Sequence, residues 1–381
     1  MATPGLSKTQ IAIVGGGPAG LCAGIVAARL GARVTLIDDN PRLGGQLIKQ
    51  THKFFGSKSH YCGTRGIDIA AILEKELLAT GAEVVLNTTV IGHFQPKTLG
   101  LASPGQFFKL AYDRLIVATG ATENNILFEN NDLPGVYGAG AVQTLMNVYG
   151  IRPGQRVLMV GSGNIGLIVS YQLIQAGIDV AAVVEALPKI GGYHVHAAKL
   201  RRLGVPILTS HTIKSALGRE YVTGAVICRV DRNFKPIAGT EKKLQVDVIC
   251  LAVGLTPLVE LLSQIGCYLV YIPELGGLIA WHDENLATSV PGVYVAGDVS
   301  GIEEASTAML EGRIAGAHAF LSLGGQSSEA ARIIHEAKKE LASIRQGPFG
   351  QKAARGKKIL PSLAKFSSKG QGVCLASEKQ T

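Results

Sequence analysis

The stretch Ile11 to Gly20, IAIVGGGPAG, decides how the rest of the chain is read. An apolar run leads into it, a helix-forming run from Leu21 to Leu30 leaves it, and a second apolar run, Val34 to Ile37, ends in Asp38. That pattern predicts a strand, a tight turn, a helix and a second strand. Gly15, Gly17 and Gly20 stand at G-x-G-x-x-G spacing. The first would let the chain turn sharply, the second would let a pyrophosphate approach the backbone, and the third would let the helix pack closely on the strand. Pro18 and Ala19 open the helix, whose unpaired N–H groups and positive dipole end suit an anion. Asp38 falls at the strand end, where a carboxylate can accept both hydroxyls of an adenosine ribose. Glycine-rich turns alone are common, but here strand, turn, helix, strand and acid agree, so a dinucleotide site is expected near the N-terminus.

The same unit recurs about 145 residues later, which makes two nucleotide-binding domains in one chain. Arg156 to Gly166 reads RVLMVGSGNIG, with Gly161, Gly163 and Gly166 at the required spacing and Asn164 and Ile165 opening the next helix. The strand Val180 to Val184 then ends in Glu185. A carboxylate there would repel a ribose phosphate, and no arginine stands beside it, so NAD(H) is expected in this site; Lys189 is the one nearby feature that argues the other way.

At 381 residues the chain has room for two domains and an appendage. Abundant aliphatic residues and Gly, against 17% charged residues, fit buried parallel strands covered by helices. No apolar run reaches the roughly 18 residues of a membrane span, and the segment before Ile11 resembles no cleavable signal; a cytoplasmic location is expected. Cys22, Cys62, Cys228, Cys250, Cys267 and Cys374 are scattered with no C-x-x-C pair, which suggests neither a disulfide framework nor a metal site. The net charge of +9 is uneven: from Ala331 onward eleven Lys/Arg face three Glu, so the body is near neutral and the tail basic. With almost no aromatics to stack on bases, that tail is expected to be a solvated, disordered end, not a nucleic-acid arm.

Between the motifs, PRLGGQL (Pro41 to Leu47) precedes a basic and aromatic stretch, Lys49 to Arg65, too irregular for helix or strand and expected to be a functional loop. A helix over Gly66 to Thr80, a strand over Glu83 to Leu86, a β-rich excursion to Leu110 and the strand of Arg114 to Gly120 (RLIVATG) close the first part. In the inserted part, a helix is expected over Tyr193 to Leu203 and strands over Val205 to Leu208, Tyr221 to Val230 and Leu244 to Val253. His194 and His196 lack a third ligand, so no metal site is assigned. TSVPGVYVAGDVSG (Thr288 to Gly301) is a last buried strand ending in Gly297-Asp298; helices over Glu303 to Phe320 and Ser327 to Arg345 follow.

These pieces resemble the flavoproteins with two dinucleotide-binding domains, the class that includes thioredoxin reductase. The matching parts are Gly15 to Gly20 with Asp38, Gly44-Gly45-Gln46, Ala118-Thr119-Gly120, Gly161 to Gly166 and Val295 to Asp298, in the right order. The resemblance implies an α/β fold of two Rossmann-like domains, the second inserted into the first: an FAD domain over 1–120 and 257–325, an NAD domain over 121–256, and a C-terminal helix with a basic tail over 326–381. It implies FAD lined by Gly45, Gln46, Thr119 and Gly120, and Asp298 hydrogen-bonded to the flavin's ribityl chain or pyrophosphate. One departure matters: where thioredoxin reductases carry C-x-x-C in the inserted domain, Gly135 to Asn147 (GVYGAGAVQTLMN) has no cysteine, so disulfide chemistry is not expected.

LPGVYGAGAVQTLMNVYG, GSGNIGLIVSYQLIQAG, VAAVVEALPKIGGY and VAGDVSGIEEASTAMLEGRIAG are similar to the α-type subunits of sarcosine oxidase, opine oxidase, hydrogen cyanide synthase and dye-linked proline dehydrogenase complexes. There a separate flavoprotein subunit oxidises the amine, and the α-type subunit holds a nucleotide cofactor and helps pass electrons onward. The resemblance implies FAD, NAD(H) or another adenine nucleotide in the second site, and room for FMN at a subunit interface, which the cations of Lys49 to Arg65 would suit. Many of these relatives carry a C-terminal cysteine cluster; this chain has only Cys374 there, so an iron–sulfur centre would sit on another, small protein. No His, Cys or carboxylate pair is placed for acid–base work, and no catalytic residue is assigned. A self-sufficient NADH-dependent reductase acting on a small acceptor or ferredoxin, and a scaffold that its nucleotides merely stabilise, stay open as alternatives.

Overall fold

The computed structural model describes residues 8–56 and 58–364, and the backbone of 373–375. The chain forms two compact units. One comprises residues up to Ile48, Lys53–Thr122 and Thr256 onward; the other comprises Lys49–His52 and Glu123–Leu255.

In the first unit the strands Glu83–Val85, Val34–Ile37, Lys8–Val14 and Gln106–Val117 lie side by side in that order, all parallel. The expected β-rich excursion explains the length of Gln106–Val117. Its first half pairs antiparallel with Thr98–Ser103, which pairs with Thr89–Phe94, while its last residues, Leu115 to Val117, pair parallel with Val293–Val295. The registers Val14↔Ile37, Val14↔Val117 and Val117↔Val295 align the carboxyl ends of four strands at one edge, where open α/β sheets bind ligands. Helix Pro18–Arg29 covers the sheet and is itself covered by helix Ala305–Ser322. Gly312 and Gly316, one turn apart, rest on the carbonyls of Ala19 and Ala23, an approach that any side chain would prevent.

The second unit repeats the plan. Ile207–Thr209, Asp179–Glu185, Arg156–Val160, Val248–Leu251 and Val136–Gly138 form a parallel sheet. Helices Asn164–Gln175 and His194–Arg202 bury Leu167, Leu173, Ala197 and Leu200 on one face. A three-stranded antiparallel sheet, His211–Leu217, Gly224–Arg229 and Lys242–Leu244, covers the other. His211–Leu217 was not expected as a strand.

The basic end departs from the expectation of disorder after Arg345. Helix Ser328–Gln346 forms as expected, with the Ser327 hydroxyl accepting from Ala330 N at 3.1 Å. A further helix, Gln351–Ile359, then follows, and a short 3₁₀ turn, Leu360–Leu363. Ala353, Leu360 and Leu363 are buried against Tyr268, Val270, Ile272, Leu275 and Ile279, and Trp281 Nε1 donates to the Leu360 carbonyl at 2.9 Å. A few apolar residues spaced along one face, diluted by lysines, were enough to dock this segment. The expectation for the rest of the tail lies outside the described residues, apart from strand Val373–Leu375, which pairs parallel with Leu269–Ile272.

Candidate functional site

In the first unit the glycine turn is held from three sides. Gly15 N donates to the Ile37 carbonyl at 2.8 Å, and the φ of +107° at Gly15 swings the chain off the strand beside Ala118, where a Cβ would collide with the Ala118 carbonyl. Gly16 N donates to Asp38 Oδ2 at 2.5 Å, while Asp38 Oδ1 accepts from Asn40 N and Nδ2 at 2.8 and 3.0 Å. The acid at the strand end is thus anchored by the loop before it could meet a ribose, and still has acceptor capacity to spare. The PRLGGQL segment lies on the same turn: Gly44 N donates to the Gly16 carbonyl at 2.8 Å, and a Cβ on Gly45 would come within 2.8 Å of Gly17 Cα. Gly17, the residue preceding helix Pro18–Arg29, has only Gly45 Cα at 4.0 Å from an added Cβ. Two bare glycine faces therefore meet at the helix N-terminus, a cradle that fits a pyrophosphate and that a side chain would fill. Thr119 and Gly120 continue the carboxyl edge. Their crossing is tied by Thr119 Oγ1 donating to Leu258 O at 2.9 Å and Leu258 N donating to Gly120 O at 3.0 Å.

Gly297 and Asp298 end the strand Val293–Val295 at the same edge, above a buried cluster that reading the sequence missed. Glu311 Oε2 accepts from Gly297 N at 3.0 Å and from Ser300 Oγ at 2.7 Å. Glu311 Oε1 accepts from Arg345 Nη2 at 2.8 Å and Lys357 Nζ at 3.1 Å, and Arg345 also grips Glu303 through two hydrogen bonds. Burial alone would raise the Glu311 carboxyl; Lys357, then Arg345 and the Ser300 hydroxyl, hold it well below the usual range instead. His282 donates from Nδ1 to Ala280 O and accepts from Lys357 at 3.2 Å, so it is neutral; burial and the Lys357 charge push it down to about 3. For Asp298, burial first and the carboxylates of Glu311 and Glu303 after it push the carboxyl up to about 6, against the Glu303 N–H and Lys357. The members are too far apart in the sequence for any local pattern to join them.

The second unit reproduces the cradle. Gly161 N donates to Val184 O at 2.8 Å with a φ of +105°, and an added Cβ on Gly163 meets nothing within 4 Å. Glu185 Oε2 accepts from Ser162 N at 2.9 Å and Ser162 Oγ at 2.7 Å, and Oε1 accepts from Leu187 N at 3.0 Å. A second glycine pair, unassigned from sequence, docks on this turn: Gly192 N donates to Ser162 O at 2.9 Å and Gly191 N to Ser162 Oγ at 3.2 Å. Its signal was there, since Pro188-Lys189-Ile190-Gly191-Gly192 repeats Pro41-Arg42-Leu43-Gly44-Gly45. Asn164 Oδ1 accepts from Tyr193 N at 2.8 Å, which spends that oxygen on the glycine segment, while Ile165 is partly exposed on the helix. Gly166 meets the Gly161 carbonyl, as Gly20 meets that of Gly15.

Gly135 to Asn147 becomes strand Val136–Gly138, helix Ala139–Gln143 and a π-helical turn, Thr144–Val148. Glu123 caps that helix, accepting from Gly140 N at 2.6 Å. Buried Gln143 donates to Gln172 at 2.8 Å, which donates to Thr51 Oγ1 at 2.9 Å. Burial pushes the Cys22 and Cys267 thiols up to about 11, and those of Cys228 and Cys250 also upward, so none of these is a ready nucleophile. The described residues hold no group of three or more His, Cys, Asp or Glu fit for a metal ion, and no helix long and apolar enough to cross a membrane.

The Lys49 to Arg65 loop divides between the units. Lys49–His52 joins the second, where Asn147 Nδ2 donates to Lys49 O at 2.7 Å. In the first, Phe54 and Tyr61 pack on the core and His60 pairs with Glu340 at 3.0 Å, while Lys53, Phe55, Lys58 and Arg65 are exposed.

The family model for pyridine nucleotide-disulphide oxidoreductases matches residues 9–312. The chain is 29% identical to the HcnB component of hydrogen cyanide synthase from Pseudomonas protegens over 90% of its own length and 78% of that protein. It is 31% identical to the A component of opine oxidase from Rhizobium meliloti over 84% and 72%. The alpha chain of sarcosine oxidase from a Corynebacterium species is 27% identical over 83% of this chain, which spans only 33% of that larger protein. Among solved structures, L-proline dehydrogenase from P. horikoshii superposes with a TM-score of 0.66 at 23% identity, covering 87% of this chain and 59% of that one. Thioredoxin reductase from T. acidophilum does so with a TM-score of 0.67 at 21%, covering 83% and 99%. These two likenesses concern the fold.

Proposed function

Because the chain belongs to the pyridine nucleotide-disulphide oxidoreductase family and is an FAD- and NAD-dependent oxidoreductase, we propose that it is the nucleotide-binding subunit of a complex that oxidises an amino acid or secondary amine. The observation that carries this reading is the duplicated cradle: two glycine turns, each with an acid docked on its second residue and a glycine pair laid across it. The first suits FAD. Gly15 to Gly20, with Pro18 and Ala19 opening the helix, would offer N–H groups to the pyrophosphate, Asp38 would accept the ribose hydroxyls, and Gly45, Gln46, Thr119 and Gly120 would line the cofactor. Asp298, beside Gly297, would accept from the ribityl chain. The second suits NAD(H), with Gly161 to Gly166 at the pyrophosphate and Glu185 at the ribose. When bound, the flavin supplies the hydride and electron chemistry; the protein holds it and orients it.

The amine half of the reading is supported by the hydrogen cyanide synthase and opine oxidase relatives, which are subunits of larger assemblies by name and match most of this chain. Electrons would reach or leave this subunit through a partner flavoprotein that oxidises the amine, and exposed Lys53, Phe55, Lys58 and Arg65 are the surface we assign to that partner. The purified chain should show a flavin spectrum, and a tagged chain expressed from its native setting should bring down a second flavoprotein. A chain that binds no flavin refutes the reading. A flavin-bearing chain that is bleached by NADH and turns over a small acceptor alone replaces it with a self-sufficient reductase.

A further inference from the structure

The cluster beneath Gly297 and Asp298 is built from three separate parts of the first unit. Glu303 and Glu311 come from the segment and helix that follow the turn, Arg345 from helix Ser328–Gln346, and Lys357 from helix Gln351–Ile359. One Glu311 oxygen accepts from both ends of the turn, Gly297 N and Ser300 Oγ. On the other side of Asp298, Glu303 N donates to Asp298 Oδ1 at 3.3 Å, and the Glu303 carboxylate is gripped by Arg345. Glu311 therefore holds the residues on either side of Asp298, the Glu303 N–H holds Asp298 itself, and the two glutamates share one arginine. Lys357 completes the set. Its ammonium donates to Glu311 Oε1, to Ser300 O at 3.0 Å and Oγ at 2.9 Å, and to His282 Nε2 at 3.2 Å. With His282 neutral, Glu303 and Glu311 balance Arg345 and Lys357, an ionised Asp298 adds a third carboxylate beside them, and both cations come from the two C-terminal helices. The side chains of Glu303, Glu311, Arg345 and Lys357 are all less than a fifth exposed, so an imbalance would be poorly screened.

We propose that Lys357 is a positioning residue of the flavin site: from the last helix it fixes Glu311 and Ser300, and through them the turn that presents Asp298 to FAD. The basic C-terminal segment is then a working part of the cofactor site and not an appendage. This rests on the reading of the first unit as the FAD site. The groups that face Asp298 are Glu303, Glu311 and Lys357, with Arg345 and His282 behind them. Removing the ammonium leaves one more carboxylate unbalanced, loosens the turn and makes the ionised form of Asp298 harder to sustain.

The test titrates FAD into the deflavinated full-length chain between pH 5 and 9, using flavin fluorescence, for the wild type, Lys357→Met and Lys357→Arg. Lys357→Met should weaken FAD binding by about ten- to a hundredfold, by analogy with the range that outer partners of metal ligands carry. It should also move the acidic midpoint of the binding profile to higher pH, while Lys357→Arg stays near the wild type and NADH binding is unchanged in all three. Glu303→Gln/Lys357→Met, which loses one charge of each sign, covers the case in which Lys357→Met does not fold: it should regain thermal stability without regaining FAD affinity. FAD binding within about twofold of the wild type with an unmoved midpoint in Lys357→Met, or recovery of both stability and affinity in the double variant, reduces the cluster to structural glue and overturns the proposal. A wild-type chain that takes up no FAD refutes the site assignment itself, a different result.

Discussion

Gly17→Ala separates a cofactor contact from a folding requirement. A Cβ on Gly17 would find Gly45 Cα at 4.0 Å and nothing nearer, and the backbone there, at φ −73° and ψ −175°, is open to any residue. The apo protein should lose only the N-cap preference of glycine over alanine, roughly 0.5–1 kcal/mol, or a few degrees in Tm at most. The methyl group would project into the cradle, where it displaces a pyrophosphate from its N–H donors. Losing one charge-assisted hydrogen bond costs about 1.5–3 kcal/mol, which is about ten- to a hundredfold in Kd. Gly20→Ala is the control, because its Cβ would collide with the Gly15 carbonyl whether or not a ligand is bound; overpacking of this kind costs about 1–3 kcal/mol in the apo protein. Thermal melts of both deflavinated variants and fluorescence titrations with FAD decide the matter. If Gly17→Ala binds FAD as tightly as the wild type, or melts as early as Gly20→Ala, the reasoning fails at its first step.

Asp298→Ala should weaken FAD binding by about 1–3 kcal/mol for one lost hydrogen bond, measured by the same titration; an unchanged Kd would remove Asp298 from the site. Glu185 is locked against Ser162 and should make NADH bind more tightly than NADPH, a preference that Glu185→Ala narrows; equal affinities in the wild type would count against its ribose role. Stability should fall as pH drops below about 6.5, because His282 is held near 3 in the fold but takes a proton at its ordinary value once unfolded. Asp298, raised to about 6 from 3.8, acts in the opposite sense between those values. Urea melts at several pH values should show a shallower decline in His282→Gln, and an identical decline would rule His282 out as the cause. The isolated chain should turn over no proline-like or N-methylated amino acid with an artificial acceptor, and gain that activity only with a second flavoprotein subunit present; steady turnover by the chain alone would refute the subunit reading.

The sequence by itself determined both dinucleotide folds, because their requirements are local. Gly20 and Gly166 are forced by the carbonyls of Gly15 and Gly161 in the same strand–turn–helix, and Gly15 and Gly161 turn at a positive φ. Gly17 and Gly163 stand between them at fixed spacing, with Asp38 and Glu185 one strand further on, so spacing alone exposes the motifs. The second glycine pair, Gly191 and Gly192, was legible too, but only as an echo of Gly44 and Gly45, since a lone Gly-Gly has many uses. Tertiary structure alone decided the rest. Nothing local in Lys357 separates it from the other lysines of a basic tail. It acquires a role only when Ala353, Leu360 and Leu363 dock on Val270 and Leu275 and carry its ammonium to Glu311. Glu311 likewise sits within an Ala- and Gly-rich helix whose closeness to Ala19 and Ala23 sets where its carboxylate arrives. A buried charge is tolerable only beside its counter-charge, and which residues become neighbours is decided by how helices far apart in sequence pack.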